Sequence, residues 1–197
     1  MRWHWISLVL LASLTICAEK GWTVYSIADR PSALALIDDR YHSPVYVREN
    51  LVRALVGENV PTTFIEDVTA LNAESLGEHD LLIILRDGMN WPAGYDKPQS
   101  IWDFVHKGGG YLSLHNAQAL YPPDGLYDEL FGGDYGTHPR PYFYTVRVED
   151  RQHPITACVQ DFEIFDEQHI VQYYLDHSQL LLRSISRDNL ESPAGWW

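Results

Sequence analysis

Four strand candidates, two of them continuous apolar runs, divide the first half of the chain. Ser32-Ala-Leu-Ala-Leu-Ile37 ends in Asp38-Asp39. Pro61-Thr-Thr-Phe-Ile65 and Asp80-Leu-Leu-Ile-Ile-Leu85 follow, and Tyr111 to Leu114 comes directly after Gly108-Gly109-Gly110. The first and third are unbroken apolar runs, which suit parallel strands buried on both faces, and the second and fourth read as further strands. Between the first two, Ser43-Pro44 gives an N-cap and a first-turn proline. Val47, Leu51 and Leu55 then recur among Arg48, Glu49 and Arg53, the pattern of an amphipathic helix that Gly57 can end. Gln99 to Lys107 reads as a second helix burying Ile101, Trp102 and Val105, stopped by the triple glycine. A short link alone separates the second and third candidates. The alternation predicts an α/β fold with a doubly wound, mostly parallel sheet.

The second half is patterned differently. Gly125 to Phe131 reads as a short helix, and Tyr142 to Val148 alternates in the β manner. Glu163 to Phe165 and Leu180 to Ile185 are shorter strand candidates, which extend the parallel sheet or form an antiparallel flap. No repeat or low-complexity tract interrupts the chain.

The N-terminus carries a separate signal. Arg2 precedes a nearly unbroken apolar run from Ile6 to Cys17, followed at once by Glu19-Lys20-Gly21. The run suits the apolar region of an export signal and is too short to span a bilayer. Ile16 stands where a lipoprotein signal needs a small residue. The expected layout is a signal peptide at 1–18, a lead-in at 19–31 and one domain at 32–197. The mature protein is then periplasmic or secreted, with no membrane association after cleavage. A net charge of −13, from 14 basic and 27 acidic side chains, repels phosphate backbones and excludes nucleic acid as a natural partner. A neutral sugar, a polyol or a cation is compatible with it. The two cysteines cannot build a thiolate metal cluster.

In open α/β sheets, ligands bind beyond the carboxyl ends of the strands. Asp38, Asp39, Tyr41 and His42 follow the first strand candidate, Arg86 and Asp87 the third, and His115, Asn116 and Gln118 the fourth. The topology brings these tips to one rim. His42 and His115 suit a divalent metal such as zinc, with His138 as a third ligand. His153 is a further candidate. Asp166 and Glu167 are neighbours, so in extended chain only one of them faces the site. His79, His106, His169 and His177 read as surface residues. Loop aromatics, among them Trp91, Tyr95, Tyr121, Tyr127 and Tyr135, suit stacking on sugar C–H faces, although aromatic rings equally cap ordinary cores. Ser113 lacks a GxSxG context, and neither glycine cluster is a phosphate loop.

Taken together, these segments resemble the trehalose-utilisation (ThuA-like) family. Gly108-Gly-Gly-Tyr-Leu-Ser-Leu-His115 is similar to its GGG-x-x-x-x-H segment, and Gly132-Gly-Asp-Tyr-Gly-Thr-His138-Pro139 to its GG-x-x-x-x-HP segment. His153-Pro-Ile-Thr156, Phe165-Asp166-Glu167 and Asp39-Arg-Tyr-His42 match further segments in the family's order. The resemblance implies a flavodoxin-like fold of the class I glutamine amidotransferase type. In amidotransferases a cysteine nucleophile stands at the elbow where His115 stands here. An imidazole cannot form the thioester, so amidotransferase activity is not expected. Cys158 is outside any elbow context. The family also implies a further C-terminal strand ending in Gly-His, which is missing here, so the domain reads as C-terminally truncated.

The expected function is action on a sugar or sugar derivative through a histidine–carboxylate pocket. His115 with Glu167 or Asp166 carries proton transfer. Asp39, Tyr41, Asn116, Gln118 and Tyr135 contact substrate, and His42, His115 and His138 hold the metal if one binds. The alternatives are a non-catalytic carbohydrate-binding module and a truncated, inactive fragment.

Overall fold

The computed structural model describes residues 30–86, 97–118, 129–173, 176 and 178–197. The signal peptide, most of the lead-in, the helix at 125–128, Asp87, Trp91, Tyr95, Tyr121, Tyr127 and His177 lie outside these residues. No helix among the described residues is long and apolar enough to cross a membrane. The chain forms two compact units, one within Thr23–Phe131 and one containing Gly132–Trp197.

The first unit is a parallel sheet of four strands: β1 (Ala33–Leu36), β2 (Thr62–Ile65), β3 (Leu81–Ile84) and β4 (Gly110–Ser113), in the order β2-β1-β3-β4. Every pairing in it is parallel and in register, with Ala35 opposite both Phe64 and Ile83. Helix α1 (Pro44–Gly57) lays Val47, Leu51 and Leu55 on one face, against Ala33, Ala35, Ile37, Ile83 and Leu85. Leu34, Leu36, Leu82 and Ile84 point to the opposite face and are equally buried, so the central strands β1 and β3 are covered on both sides as a doubly wound fold requires. Each such leucine or isoleucine contributes about 1.5–3 kcal/mol by leaving water.

The helix signals act as their chemistry dictates, with one difference. Ser43 is the N-cap of α1, and Pro44 opens it, but the Ser43 side chain makes no capping bond. The proline removes one of the orphan donors that a cap would satisfy. The short link holds α2 (Ala73–Gly77), where the Asn72 side chain accepts from Glu74 and Ser75 N–H while the Ser75 hydroxyl accepts from Asn72 N–H. Helix α3 (Lys97–His106) buries Ile101 and ends in a Schellman turn. Gly108 sits at φ +100°, its N–H donates to Val105 O, and Gly109 N–H donates to Phe104 O. A side chain at Gly109 would collide with the Phe104 ring.

The second unit is antiparallel and does not extend the parallel sheet. Strands β6 (Tyr142–Val148), β7 (Phe162–Asp166), β9 (Leu180–Ile185) and β10 (Glu191–Trp196) form one sheet in the order β10-β9-β6-β7. Strands β5 (Gly133–Thr137) and β8 (Ile170–Tyr173) form a two-stranded ribbon. Tyr144, Val146, Val148, Ile164, Leu181 and Leu182 make this unit's own core. Alternate residues of β6 and β7 are therefore apolar. Their partners on the outer face include the cross-strand pair Phe143–Phe165, whose rings lie 5.1 Å apart. Gly133 is required where β5 crosses β8, because a Cβ there would lie 2.9 Å from Gln172 O.

Candidate functional site

In the first unit the candidate residues gather where the strands end. Beyond β1, Asp38 accepts from Arg86 Nη1 at 2.9 Å, which ties the end of β1 to the end of β3. Burial raises the Asp38 carboxyl above its usual range, and the attraction of Arg86 offsets this only in part. Asp39, next in the chain, is buried. Its Oδ2 accepts from Tyr41 N–H at 3.0 Å and lies 2.5 Å from His42 Nδ1. An ionised carboxylate only accepts, so facing it Nδ1 is the nitrogen that carries the proton.

The His42 ring meets the His115 ring edge-on, with centroids 4.7 Å apart. His115 follows β4 and begins a 3₁₀ turn (His115–Gln118) with φ 55°. That left-handed conformation costs a non-glycine residue about 1–3 kcal/mol and recurs at functional elbows. Leu114 N–H still donates to Ile84 O, so the strand is held up to the residue before the elbow. We expect His115→Gly to be about 1 kcal/mol more stable than His115→Ala in chemical denaturation, since only glycine accepts this φ without strain. Equal stabilities would show that the elbow is not strained.

The remaining first-unit candidates divide. Tyr41 is exposed, with the Arg40 guanidinium 4.7 Å from its ring centre. Asn116 and Gln118 lie in the 3₁₀ turn, and their side chains are outside the description. Asp39, expected to contact substrate, directs its described contacts inward to His42 and the Tyr41 backbone.

The second unit carries its own group. His138 follows β5, and its Nδ1 lies 2.9 Å from Pro139 O and 3.7 Å from Glu167 Oε2. The His138 and His169 rings stack with centroids 5.4 Å apart, and Tyr135 lies 5.1 Å from His169 and 6.0 Å from His138. Asp166 and Glu167 diverge, as their adjacency requires. Asp166 is buried and accepts from Glu167 N–H, while the Glu167 carboxylate turns to His138. His153 stands apart from this group: its ring lies 6.0 Å from that of Trp197.

His169 corrects its reading as a surface histidine, because it is half-buried in the ring cluster. The polar run Asp166-Glu-Gln-His169 carries no alternation to show this; the structure buries Asp166 and Gln168 and so places His169 on the side of Glu167. His79 and His106 are satisfied locally, His79 by Ser75 O and Thr63 Oγ1, and His106 by Trp102 O.

Comparison with known proteins agrees with this fold. A ThuA-like protein from Bacteroides uniformis is 18% identical, with a TM-score of 0.68 over 89% of this chain and 81% of its own. A ThuA-like protein from Parabacteroides merdae is 13% identical, with a TM-score of 0.71 over 85% and 74%. A glutamine amidotransferase from Thermotoga maritima is 13% identical, with a TM-score of 0.56 over 85% and 71%. No functionally curated protein matches. The family described as ThuA, trehalose utilisation, matches residues 31–197, and the chain belongs to it.

Proposed function

We propose that the protein acts on a sugar or sugar derivative by moving a proton, with His42 as the base. One observation carries this reading: a buried carboxylate fixes the tautomer of an imidazole whose neighbour is a second imidazole on a left-handed elbow. A base oriented by a third group is the general arrangement of acid–base catalysis. A sugar offers such a base a hydroxyl, or a C–H beside a carbonyl in an oxidised sugar. His115, at the elbow, is the second proton-carrying group. In the alternative in which His42 Nε2 ligates a divalent metal, Asp39 is the carboxylate that usually holds a ligating histidine's other nitrogen, and His42 is then a ligand and not the base. When bound, such an ion would polarise a carbonyl.

A second reading has support from the Tyr135, His138 and His169 rings. Aromatic and imidazole faces beside a carboxylate can hold a polyol without turnover. The discriminating experiment incubates the protein in D₂O with trehalose, related disaccharides and their keto forms, followed by proton NMR. Deuterium entering a carbon-bound position in at least one of them is expected, and that exchange is lost in His42→Ala. Binding with neither exchange nor any new product signal across the panel would overturn the enzymatic reading and leave the binding one.

A further inference from the structure

Gln168 is fully buried between the two outward residues Glu167 and His169. Its side chain is nearly saturated. Tyr142 donates its hydroxyl to Oε1, and Nε2 donates to Ser184 Oγ and Leu190 O, both at 3.0 Å. The chain of bonds continues, since Ser184 Oγ donates to Ser192 O at 3.1 Å and Ser192 Oγ accepts from Val171 N–H at 2.9 Å. One glutamine therefore connects β6, β9, β10 and β8. The backbone on either side is fixed as well. Asp166 accepts from Glu167 N–H, Tyr144 donates to Glu167 O, and Ser192 holds Val171.

Burying an amide brings little net stability, because its hydrogen bonds mainly replace bonds to water. A leucine of similar volume would fill the same space. A saturated buried network gives position, since each bond has a required direction. What it positions here is the segment between β7 and β8, which carries Glu167 to His138 and His169 to the rings of Tyr135 and His138. We propose that Gln168 is a positioning residue that sets the geometry of the Glu167–His169 segment against His138 and Tyr135. Its importance for function rests on reading that face as a sugar-contacting surface. Its geometric role does not, so the two can fail separately.

The test uses the full-length protein and NMR of its labelled histidine and tyrosine rings, without any sugar. In the wild type, cross-peaks link Tyr135 with His169 and His138 with His169. In Gln168→Leu both are expected to vanish. Val146→Ala, a core change in the same unit, is the control for lost stability, and it should retain the cross-peaks. Tyr142→Phe removes one bond of the network and should weaken the cross-peaks in the same direction, which keeps the test usable if Gln168→Leu does not fold. Unchanged cross-peaks in Gln168→Leu, with only a lower Tm, would reduce Gln168 to a packing residue and overturn the proposal. So would an equal loss of cross-peaks in Val146→Ala.

Discussion

His42→Ala is expected to lower the rate of the proposed proton transfer by about 10²–10⁴-fold, the usual contribution of a positioned acid–base group. Asp39→Asn should lower it less, by about 10²-fold. Two N–H donors, His42 Nδ1–H and Tyr41 N–H, converge on the same carboxylate oxygen. An asparagine there keeps its oxygen at this position, because turning its NH₂ there would oppose it to Tyr41 N–H, which can only donate. The tautomer of His42 is then retained, and only the negative charge that stabilises the imidazolium is lost. Asp39→Ala loses both and should approach His42→Ala. The order wild type, Asp39→Asn, Asp39→Ala, measured as kcat, separates orientation from charge. An Asp39→Asn enzyme at full activity would show that the carboxylate's charge takes no part in the reaction. A fully active His42→Ala would remove the base itself.

The parallel half of the fold was legible because burial on both faces leaves a simple mark. Runs such as Leu34–Ile37 and Leu81–Leu85 have no polar interruption, and the four-residue spacing of Val47, Leu51 and Leu55 has no strand interpretation. Strands β5 and β10 left no such mark. β5 is Gly-Asp-Tyr-Gly-Thr, poor in strand formers, and exists because β8 pairs with it. β10 contains Pro193 and shifts register between Pro193 and Trp196, which a local reading scores as a turn. The elements of the antiparallel unit are set by pairing partners far apart in sequence, and local periodicity carries no record of those.

The candidate site divides along the same line. His42 and His115 were findable because each follows a recognisable strand, and strand ends are where polar groups have a reason to be. Their mutual approach follows from the strand order β2-β1-β3-β4, which the alternation of elements does not by itself specify. Gln168 and His169 gave no motif signal. A glutamine is not a ligand or a base, and its role appears only when Tyr142, Ser184 and Leu190 are brought around it by three other segments. Spacing rules detect residues that do chemistry more readily than residues that hold them in place.

Ile83→Ala is expected to cost about 2–5 kcal/mol, towards the upper part of that range. Ile83 is fully buried on a central strand, with Ala35 and Leu112 as its register partners. On its own face it packs in a cluster with Ala33, Ala35, Val47 and Leu51. The two alanines on β1 have no side-chain length with which to fill a void, and the parallel ladder on both sides prevents the strands from closing in. The cavity should therefore persist, and the penalty grows with the cavity that remains. For a chain of this size the loss corresponds to a fall in Tm of roughly 10 °C. Val52→Ala, on the exposed side of α1, should stay within about 0.5 kcal/mol of wild type. Urea melts of the two variants measure the difference directly. A cost below about 1 kcal/mol for Ile83→Ala would mean that the core relaxes around β3. The strand ends that hold Asp38 to Arg86 would then lack the rigid base on which the His42–His115 geometry depends.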